Sequence, residues 1–255
     1  QLLDTITGNG SYTTNINLGS INFIAGQSTT VKVWTSAPNG GIDTINSNDT
    51  LVQSWVPSLT GVYTVDNTLP TSGTNFNNFT DLASALSTYG VCGPVDVNVM
   101  SGGTFTEQVT FNSIPGASQT NRINIHGNNS ILDFNANTSS RFVVRFNGAS
   151  FVTLEDLTIR SLNATFGWGV VYSGSASNDT LRNCTVDISS VSSTTSTNSV
   201  GVTLTSTLTS PLSTGNNCTD CAIIGNTIIG RTTTGGPYYG IAAAGSTANG
   251  SANLL

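Results

Sequence analysis

Short apolar segments recur through the C-terminal part of the chain, and this repetition constrains the fold more than any other feature. Residues 144–146 recur as residues 170–172, 202–204 and 241–243, at spacings of 26, 32 and 39 residues. Repeats of 20–50 residues are typical of chains in which each repeat stacks on its neighbours. Each repeat holds two or three short strands and no helix, and no regular hairpin turns separate the strands.

A second series of apolar segments follows the first. Residues 154–159 recur as residues 181–186 and 223–228, at spacings of 27 and 42 residues. A chain that always winds in the same sense stacks equivalent strands in parallel, about 4.8 Å apart. The predicted inner columns are Val144, Val170, Val202 and Ile241; Leu154, Leu181 and Ile223; Ile159, Val186 and Ile228; and Leu157, Cys184 and Asn226. Asn226 makes the last column polar, either through side-chain amide bonding or because it marks a turn.

The charge balance excludes several classes of partner. The chain has a formal net charge of −6, with one Lys, six Arg and 8% charged residues. Nucleic-acid binding needs a basic surface, so this class is excluded, and an anionic membrane surface is an equally poor partner. Acidic polysaccharides are disfavoured for the same reason. No apolar run approaches the 18 residues of a membrane-spanning helix, so no membrane span is predicted in this segment.

Two domains are predicted. Residues 1–66 carry short strands between Gly- and Pro-containing turns, and they are too few for a complete sandwich. We interpret them as the C-terminal part of a β-sandwich module. Residues 67–255 hold the repeats, with Ser/Thr-rich loops at 189–198 and 205–217 that we expect to be exposed.

One short helix is predicted at the start of the repeats. We expect Thr80 to cap it, Leu82, Leu86 and Tyr89 to share a face, and Gly90 to end it. The helix lies where the open end of a strand stack needs an N-terminal cap. The sequence stops where another strand would begin, without a matching C-terminal cap. We therefore expect a piece of a longer protein, truncated at both ends.

Several segments resemble a known family. Gly-Val-Tyr-Thr-Val (61–65), Phe-Thr-Asp-Leu-Ala-Ser-Ala-Leu (79–86), Tyr-Gly-Val-Cys-Gly-Pro-Val (89–95) and Gly-Thr-Phe-Thr-Glu-Gln-Val (103–109) carry the resemblance. They resemble the start of right-handed parallel β-helix domains of the pectin-lyase-like class, as seen in large surface proteins of gliding and marine Bacteroidota. Residues 38–43 and 48–50 resemble the end of an immunoglobulin-like module that often precedes such a domain. The resemblance implies export to the cell surface, commonly by type IX secretion.

The resemblance also implies O-glycosylation at Asp-Thr-Ile and Asp-Thr-Leu sequences. Thr5, Thr44, Thr50 and Thr180 are the resulting glycosylation candidates. The alternative is that Asp and Thr occupy these positions because they are common in turns.

The four cysteines include a Cys-x-x-Cys pair, Cys218 and Cys221. A zinc site would need a second pair or a nearby His, and the single His, His126, is far away in sequence. A redox role would need a thioredoxin-like βαβ setting, which is absent. We favour a local disulfide between Cys218 and Cys221, or buried thiols.

No catalytic residue is assigned. A lyase resembling the family would use an Arg beside carboxylates that hold Ca²⁺. The candidates are Arg145, Arg160, Arg182, Glu155, Asp156 and Asp187. Glu155 and Arg182 fall on adjacent strands, where an outward ion pair worth under about 1 kcal/mol is the favoured interpretation. Glu155 and Asp156 point to opposite faces of a strand, against a glycosidase pair. His126 is interpreted as a structural or exposed residue.

No cofactor is assigned, and Ca²⁺ is the one considered. Asp43, Asn46, Asn48 and Asp49 form an oxygen-rich loop that is the candidate metal site. Their spacing lacks the Gly and terminal Glu of an EF-hand, so a turn held by Asx hydrogen bonds is favoured.

Together these features predict an all-β, parallel β-helix protein, secreted or at the cell surface. The favoured function is a non-enzymatic surface or adhesin segment whose loops meet glycans or other surface proteins. The alternatives are a carbohydrate-active lyase or hydrolase, and an ice-binding protein using an outward column of Thr158, Thr185 and Thr227. Thr is also simply a good strand residue.

Overall fold

The computed structural model describes residues 28–34, 47, 50–215, 217–230 and 238–245. Strands dominate these residues and one helix accompanies them, so the all-β prediction is confirmed. The N-terminal elements are β1 (Thr29–Trp34), β2 (Thr50–Trp55), β3 (Leu59–Val65), β4 (Asn75–Phe76), α1 (Phe79–Tyr89), β5 (Val91–Val99), β6 (Thr104–Thr106), β7 (Val109–Asn112) and β8 (Ile123–Phe134). The C-terminal elements are β9 (Phe142–Asn147), β10 (Val152–Ser161), β11 (Gly167–Ser173), β12 (Ala176–Ser177), β13 (Thr180–Arg182), β14 (Thr185–Asp187), β15 (Ser199–Leu204), β16 (Cys218–Thr219), β17 (Ala222–Ile224), β18 (Thr227–Ile229) and β19 (Tyr239–Ala243).

The chain divides into two units, Gln1–Pro57 and Ser58–Leu255. The described part of the first unit is an antiparallel pair, β1 with β2. The predicted boundary after residue 66 is wrong, because β3 pairs in parallel with β5 and so belongs to the second unit. The partial sandwich itself stays a prediction.

Two multi-stranded parallel sheets and one short parallel pair, β12 with β16, build the second unit. The first sheet runs in the order β17-β13-β10-β8-β5-β3-β4, with β6, β14 and β18 attached to it. The second sheet runs β19-β15-β11-β9-β7. All the strand pairings described within this unit are parallel, and those between equivalent strands join one repeat to the next. Each repeat contributes one strand to the second sheet and one or two strands to the first, as with β13 and β14.

The predicted columns are confirmed by the strand register. Val170 is the partner of both Val144 and Val202, and Val202 is the partner of Ile241. In the first sheet, Leu181 joins Leu154 to Ile223, and Val186 joins Ile159 to Ile228. The interior members of these columns are fully buried until the last repeat, where the sheet edge leaves Ile241 exposed.

Asn226, the polar member of the fourth column, forms hydrogen bonds to the backbone of the preceding repeat. Its side-chain Oδ1 accepts a hydrogen bond from the Cys184 N–H at 2.8 Å, and its Nδ2 donates to the Leu181 carbonyl at 2.9 Å. Asn226 also lies between β17 and β18, so both interpretations of this position hold.

A stacked column of left-handed residues bends the first sheet at one position. Asp156, Asn183 and Gly225 occupy equivalent positions and have φ of 53°, 53° and 64°. Asp, Asn and Gly are the residues that adopt this conformation at least cost. The bend separates β13 from β14 and β17 from β18, and it interrupts the register of β10 with β8.

Helix α1 covers the start of the second unit. Its N-cap is Asn78, whose side chain accepts from the Asp81 N–H, so the prediction that Thr80 caps the helix is wrong. Gly90 ends the helix with φ 66°, as predicted. Phe79, Leu82 and Leu86 are buried, whereas Tyr89 is exposed.

The loop at 205–215 covers part of the second sheet. Leu208 packs against a buried cluster composed of Phe142, Trp168, Val171, Val200 and Ala242. Thr203 Oγ1 donates to the Pro211 carbonyl at 2.7 Å, and Thr205 Oγ1 donates to the Ser210 carbonyl at 2.7 Å. The segment is a loop, as predicted. Thr205 and Pro211 are buried and Leu208 is half-buried, so the loop covers part of the sheet while its other residues are exposed or half-buried.

Candidate functional site

A row of charged side chains crosses the first sheet and is the candidate site. His126 of β8, Glu155 of β10 and Arg182 of β13 are direct register partners on three adjacent strands. Residues at one register position on adjacent parallel strands lie about 4.8 Å apart, so their side chains meet on one face. The predicted Glu155–Arg182 pair is confirmed, and the structure adds His126 to it.

Glu155 is the centre of this row. Its Oε1 lies 2.5 Å from His126 Nδ1, and its Oε2 accepts from Arg182 Nε at 2.6 Å and from Arg182 Nη2. The Glu155 side chain is 8% exposed, against 34% for His126 and 47% for Arg182. The ion pair is therefore less outward than predicted, because its carboxylate is nearly buried between two flanking bases.

Asp96 extends the row on the other side of His126. Its Oδ1 lies 3.9 Å from His126 Nε2, which is too long for a hydrogen bond. The same oxygen accepts from Asn124 Nδ2 at 2.9 Å. His126 is consequently oriented by Glu155 on one ring nitrogen and keeps the other ring nitrogen available.

A second pairing lies farther along the same strands. Arg160 Nη2 donates to Asp133 Oδ2 at 2.6 Å, and Thr106 Oγ1 donates to Asp133 Oδ1 at 2.8 Å. Arg160 therefore pairs with Asp133 rather than with the lyase candidates. Arg145 donates instead to Ser173 Oγ at 2.8 Å. The six lyase candidates are not brought together as one cluster.

These contacts limit the acid–base chemistry that the carboxylates of the charged row and of the Asp133–Arg160 pair can perform. Both oxygens of Glu155 and both oxygens of Asp133 already accept from protein donors. A glycosidase needs one carboxyl to give a proton and a second to attack or to activate water. Neither carboxylate is free for such a role in this arrangement.

Asp179 is a titratable residue that sequence reasoning missed. It is fully buried in the turn before β13, and its Oδ1 accepts from the Val152 N–H at 2.9 Å. Its Oδ2 has no hydrogen-bond partner among the described residues. Burial raises the pKa of Asp179 to about 7, with Arg122 and hydrogen bonds opposing the shift. Asp179 occupies the position equivalent to Val152 one repeat later. Matching these two positions in the sequence could have indicated that Asp179 is buried.

Two further buried groups have raised pKa values, the Tyr172 hydroxyl beside Asp179 and the Cys184 thiol. The Tyr172 hydroxyl has no partner among the described residues, and burial and the Asp179 charge raise its pKa well above the usual value. Burial raises the pKa of the free Cys184 thiol to about 12. Such a thiol is inert, since a reactive cysteine needs a lowered pKa.

The remaining predicted sites are placed as follows. Cys218 and Cys221 form a disulfide with a Cα–Cα distance of 6.3 Å, and Cys92 is exposed. Of the glycosylation candidates, Thr50 is exposed and Thr180 is half-buried within β13. Thr5 and Thr44 lie outside the described residues, as do all four calcium candidates, which are Asp43, Asn46, Asn48 and Asp49.

The threonine column is in register but is not an open array. Thr158, Thr185 and Thr227 are register partners, as predicted. Thr227 is exposed, whereas Thr158 and Thr185 are half-buried.

The described residues contain no group of three or more His, Cys, Asp and Glu side chains that could hold a metal ion. Their single helix, α1, is too short to cross a membrane. Comparison with protein-family models, curated proteins and solved structures found no match.

Proposed function

We propose that this chain is a non-enzymatic, extracellular surface or adhesin segment of a larger exported protein, built on a right-handed parallel β-helix. The observation that carries the proposal is the full engagement of Glu155 by His126 and Arg182. The charged row then holds three repeats together, and neither oxygen of Glu155 is free for acid–base chemistry. The rigid stack presents its loops to glycans or other surface proteins.

The β-helix architecture is supported by the backbone. Equivalent strands of successive repeats are parallel partners in two separate sheets. The bends between segments recur at equivalent positions, as at Asp156, Asn183 and Gly225. A chain that winds in one sense produces both features, because each turn repeats the same strand–corner–strand path.

An extracellular location is supported by the disulfide between Cys218 and Cys221. Disulfides persist in oxidising compartments and are rare in reducing ones. Surface export and O-glycosylation at Thr50 or Thr180 are parts of the same proposal.

One observation favours the alternative of a carbohydrate-active enzyme. His126 is half-exposed and is oriented by Glu155, with Asp96 beside its second nitrogen. An imidazole oriented by a carboxylate can transfer protons at neutral pH.

Polysaccharide turnover separates the two functions. We expect no new reducing ends and no unsaturated products from neutral or acidic polysaccharides. Turnover that is lost in both His126→Ala and Glu155→Gln, but kept in the control Asp187→Asn on the same sheet, would show that the chain is an enzyme.

A further inference from the structure

Two cavities lie beside helix α1, and no residue of the charged row lines either of them. The first has a volume of about 390 Å³ and lies between the segment around Asn77, the start of α1 and β6. The second has a volume of about 290 Å³ and lies between α1 and β7. Thr80 lines both cavities, and the two together are called the α1 groove below.

The first cavity presents amide and carboxylate groups. Asn77, Asn78 and Asp81 are among its lining residues, and their Oδ1, Nδ2 and Oδ1 atoms respectively make no hydrogen bond to any described residue. Glu107 accepts from the backbone N–H groups of Phe79 and Thr80. The positive end of the helix is therefore already occupied by a carboxylate and does not offer an anion site.

The second cavity presents hydroxyl and amide groups. Ser84, Thr110 and Asn112 are among its lining residues, and their Oγ, Oγ1 and Nδ2 atoms respectively make no hydrogen bond to another described residue. The apolar side chains that line the two cavities are Ala83 and Phe105, and Phe105 is almost fully buried. The groove thus offers hydrogen bonds along its length and little apolar surface.

The charge of the groove restricts the classes of ligand that it can bind. Asp81 and Glu107 are its charged residues, and none of its lining residues is Lys, Arg or His. Uronic-acid chains would meet two carboxylates without a compensating cation. A peptide would need apolar pockets for its side chains, which the groove lacks.

We infer that the α1 groove binds a neutral oligosaccharide chain. Sugar hydroxyls donate and accept hydrogen bonds, and the free amides, hydroxyls and carboxylate oxygen of the groove match both functions. This inference deepens the proposed function and rests on it, since it names the ligand class and the site.

The test compares binding of three probes by titration calorimetry. The probes are a neutral β-glucan hexasaccharide, a neutral mannohexaose and a galacturonate hexasaccharide. At least one neutral probe should bind, and the galacturonate probe should bind more weakly. The double variant Ser84→Ala and Thr110→Val removes two free hydroxyls and should weaken binding by about five- to thirtyfold, at roughly 0.5–1 kcal/mol per hydrogen bond.

The matched control removes one exposed hydroxyl from the loop at 189–198, by Thr194→Val, and should leave binding unchanged. Binding that the groove variant does not alter, tighter binding of the galacturonate probe, or no binding of either neutral probe would each overturn the inference. None of these results is polysaccharide turnover, so the inference and the proposed function fail on different observations.

Discussion

The two parallel sheets share one repeat but cover their surfaces in different ways. The first sheet carries ionic side chains across its strands, with Glu155 held between His126 and Arg182. The second sheet carries Trp168 and Val171, which are fully buried in a cluster against which Leu208 of the loop at 205–215 packs. The same parallel register thus supports a paired polar surface on one side and an apolar surface that needs a cover on the other.

The difference shows how unequal repeats remain compatible with a regular stack. The strand register is set by the buried columns, which are similar in every repeat. The long insertion after β15 leaves that register intact and folds back onto the second sheet. Insertions in such a protein can therefore stabilise the stack as well as decorate it.

The largest effect is expected on the apolar side. Trp168→Ala removes a fully buried side chain and the hydrogen bond from its Nε1 to the Thr197 carbonyl at 3.0 Å. We expect a loss of about 3–5 kcal/mol in the free energy of unfolding, measured by urea denaturation. Trp34→Ala, at an exposed position of the first unit, is the control and should cost under about 1 kcal/mol. Equal losses would remove the distinction between covered and exposed surface.

The next largest effect is expected at Asp179, the buried acid in the turn before β13, and it concerns how the unfolding free energy depends on pH. The native pKa of Asp179 is raised to about 7, so the native state holds its proton more tightly than the unfolded state does. The unfolding free energy should therefore fall as the pH rises from about 4 to 7. Asp179→Asn keeps the acceptor for Val152 and removes this charge. It should match the wild type at pH 4 and exceed it by about 2–4 kcal/mol at pH 8.

Thermal unfolding at several pH values measures this difference. A stability difference between Asp179→Asn and the wild type that stays constant with pH would show that the Asp179 carboxyl is not held in an apolar setting. Asp156→Asn, which changes an exposed carboxyl of the same sheet, is the matched control.

A smaller effect is expected in the charged row. Glu155→Gln leaves Arg182 and His126 without their shared carboxylate, and we expect a loss of about 1–2 kcal/mol. The partial exposure of both bases keeps the cost below that of a fully buried pair. A double-mutant cycle with Arg182→Met gives the coupling energy directly. A coupling energy of zero would mean that the row does not join the repeats.

The smallest effect on the free energy of unfolding is expected in the loop at 205–215, and it tests whether this loop packs on the second sheet. Leu208→Ala trims the side chain that packs on the buried cluster, and we expect a loss of about 1 kcal/mol because Leu208 is only partly buried. Hydrogen exchange of β11 and β15 amides should accelerate in this variant. Unchanged exchange would indicate that the loop is displayed rather than packed.

The stack could be predicted from sequence because buried apolar residues repeat at every turn. The columns through Val170, Leu181 and Val186 follow from matching these segments. The His126–Glu155 contact was missed because β8 carries extra residues opposite Asp156, which shift the register within that pair of strands. Matching residues 123–125 with 152–154 would have placed His126 beside Glu155.

Other features depended on contacts between distant parts of the chain. Asn and Thr are both residue types that cap helices. Thr80 donates its N–H and its hydroxyl to Glu107, and Asn78 is the N-cap. The burial of Leu208 and Asp179 likewise depends on which surfaces meet. Local sequence patterns do not carry that information.

Methyl nuclear Overhauser effects in selectively labelled protein test the parallel stacking of repeats most directly. The account predicts strong cross-peaks from Val170 to both Val144 and Val202, and from Leu154 to Leu181 together with Ile159 to Val186. Cross-peaks from Leu154 to Val186 with none from Leu154 to Leu181 would mean antiparallel strands and would contradict it.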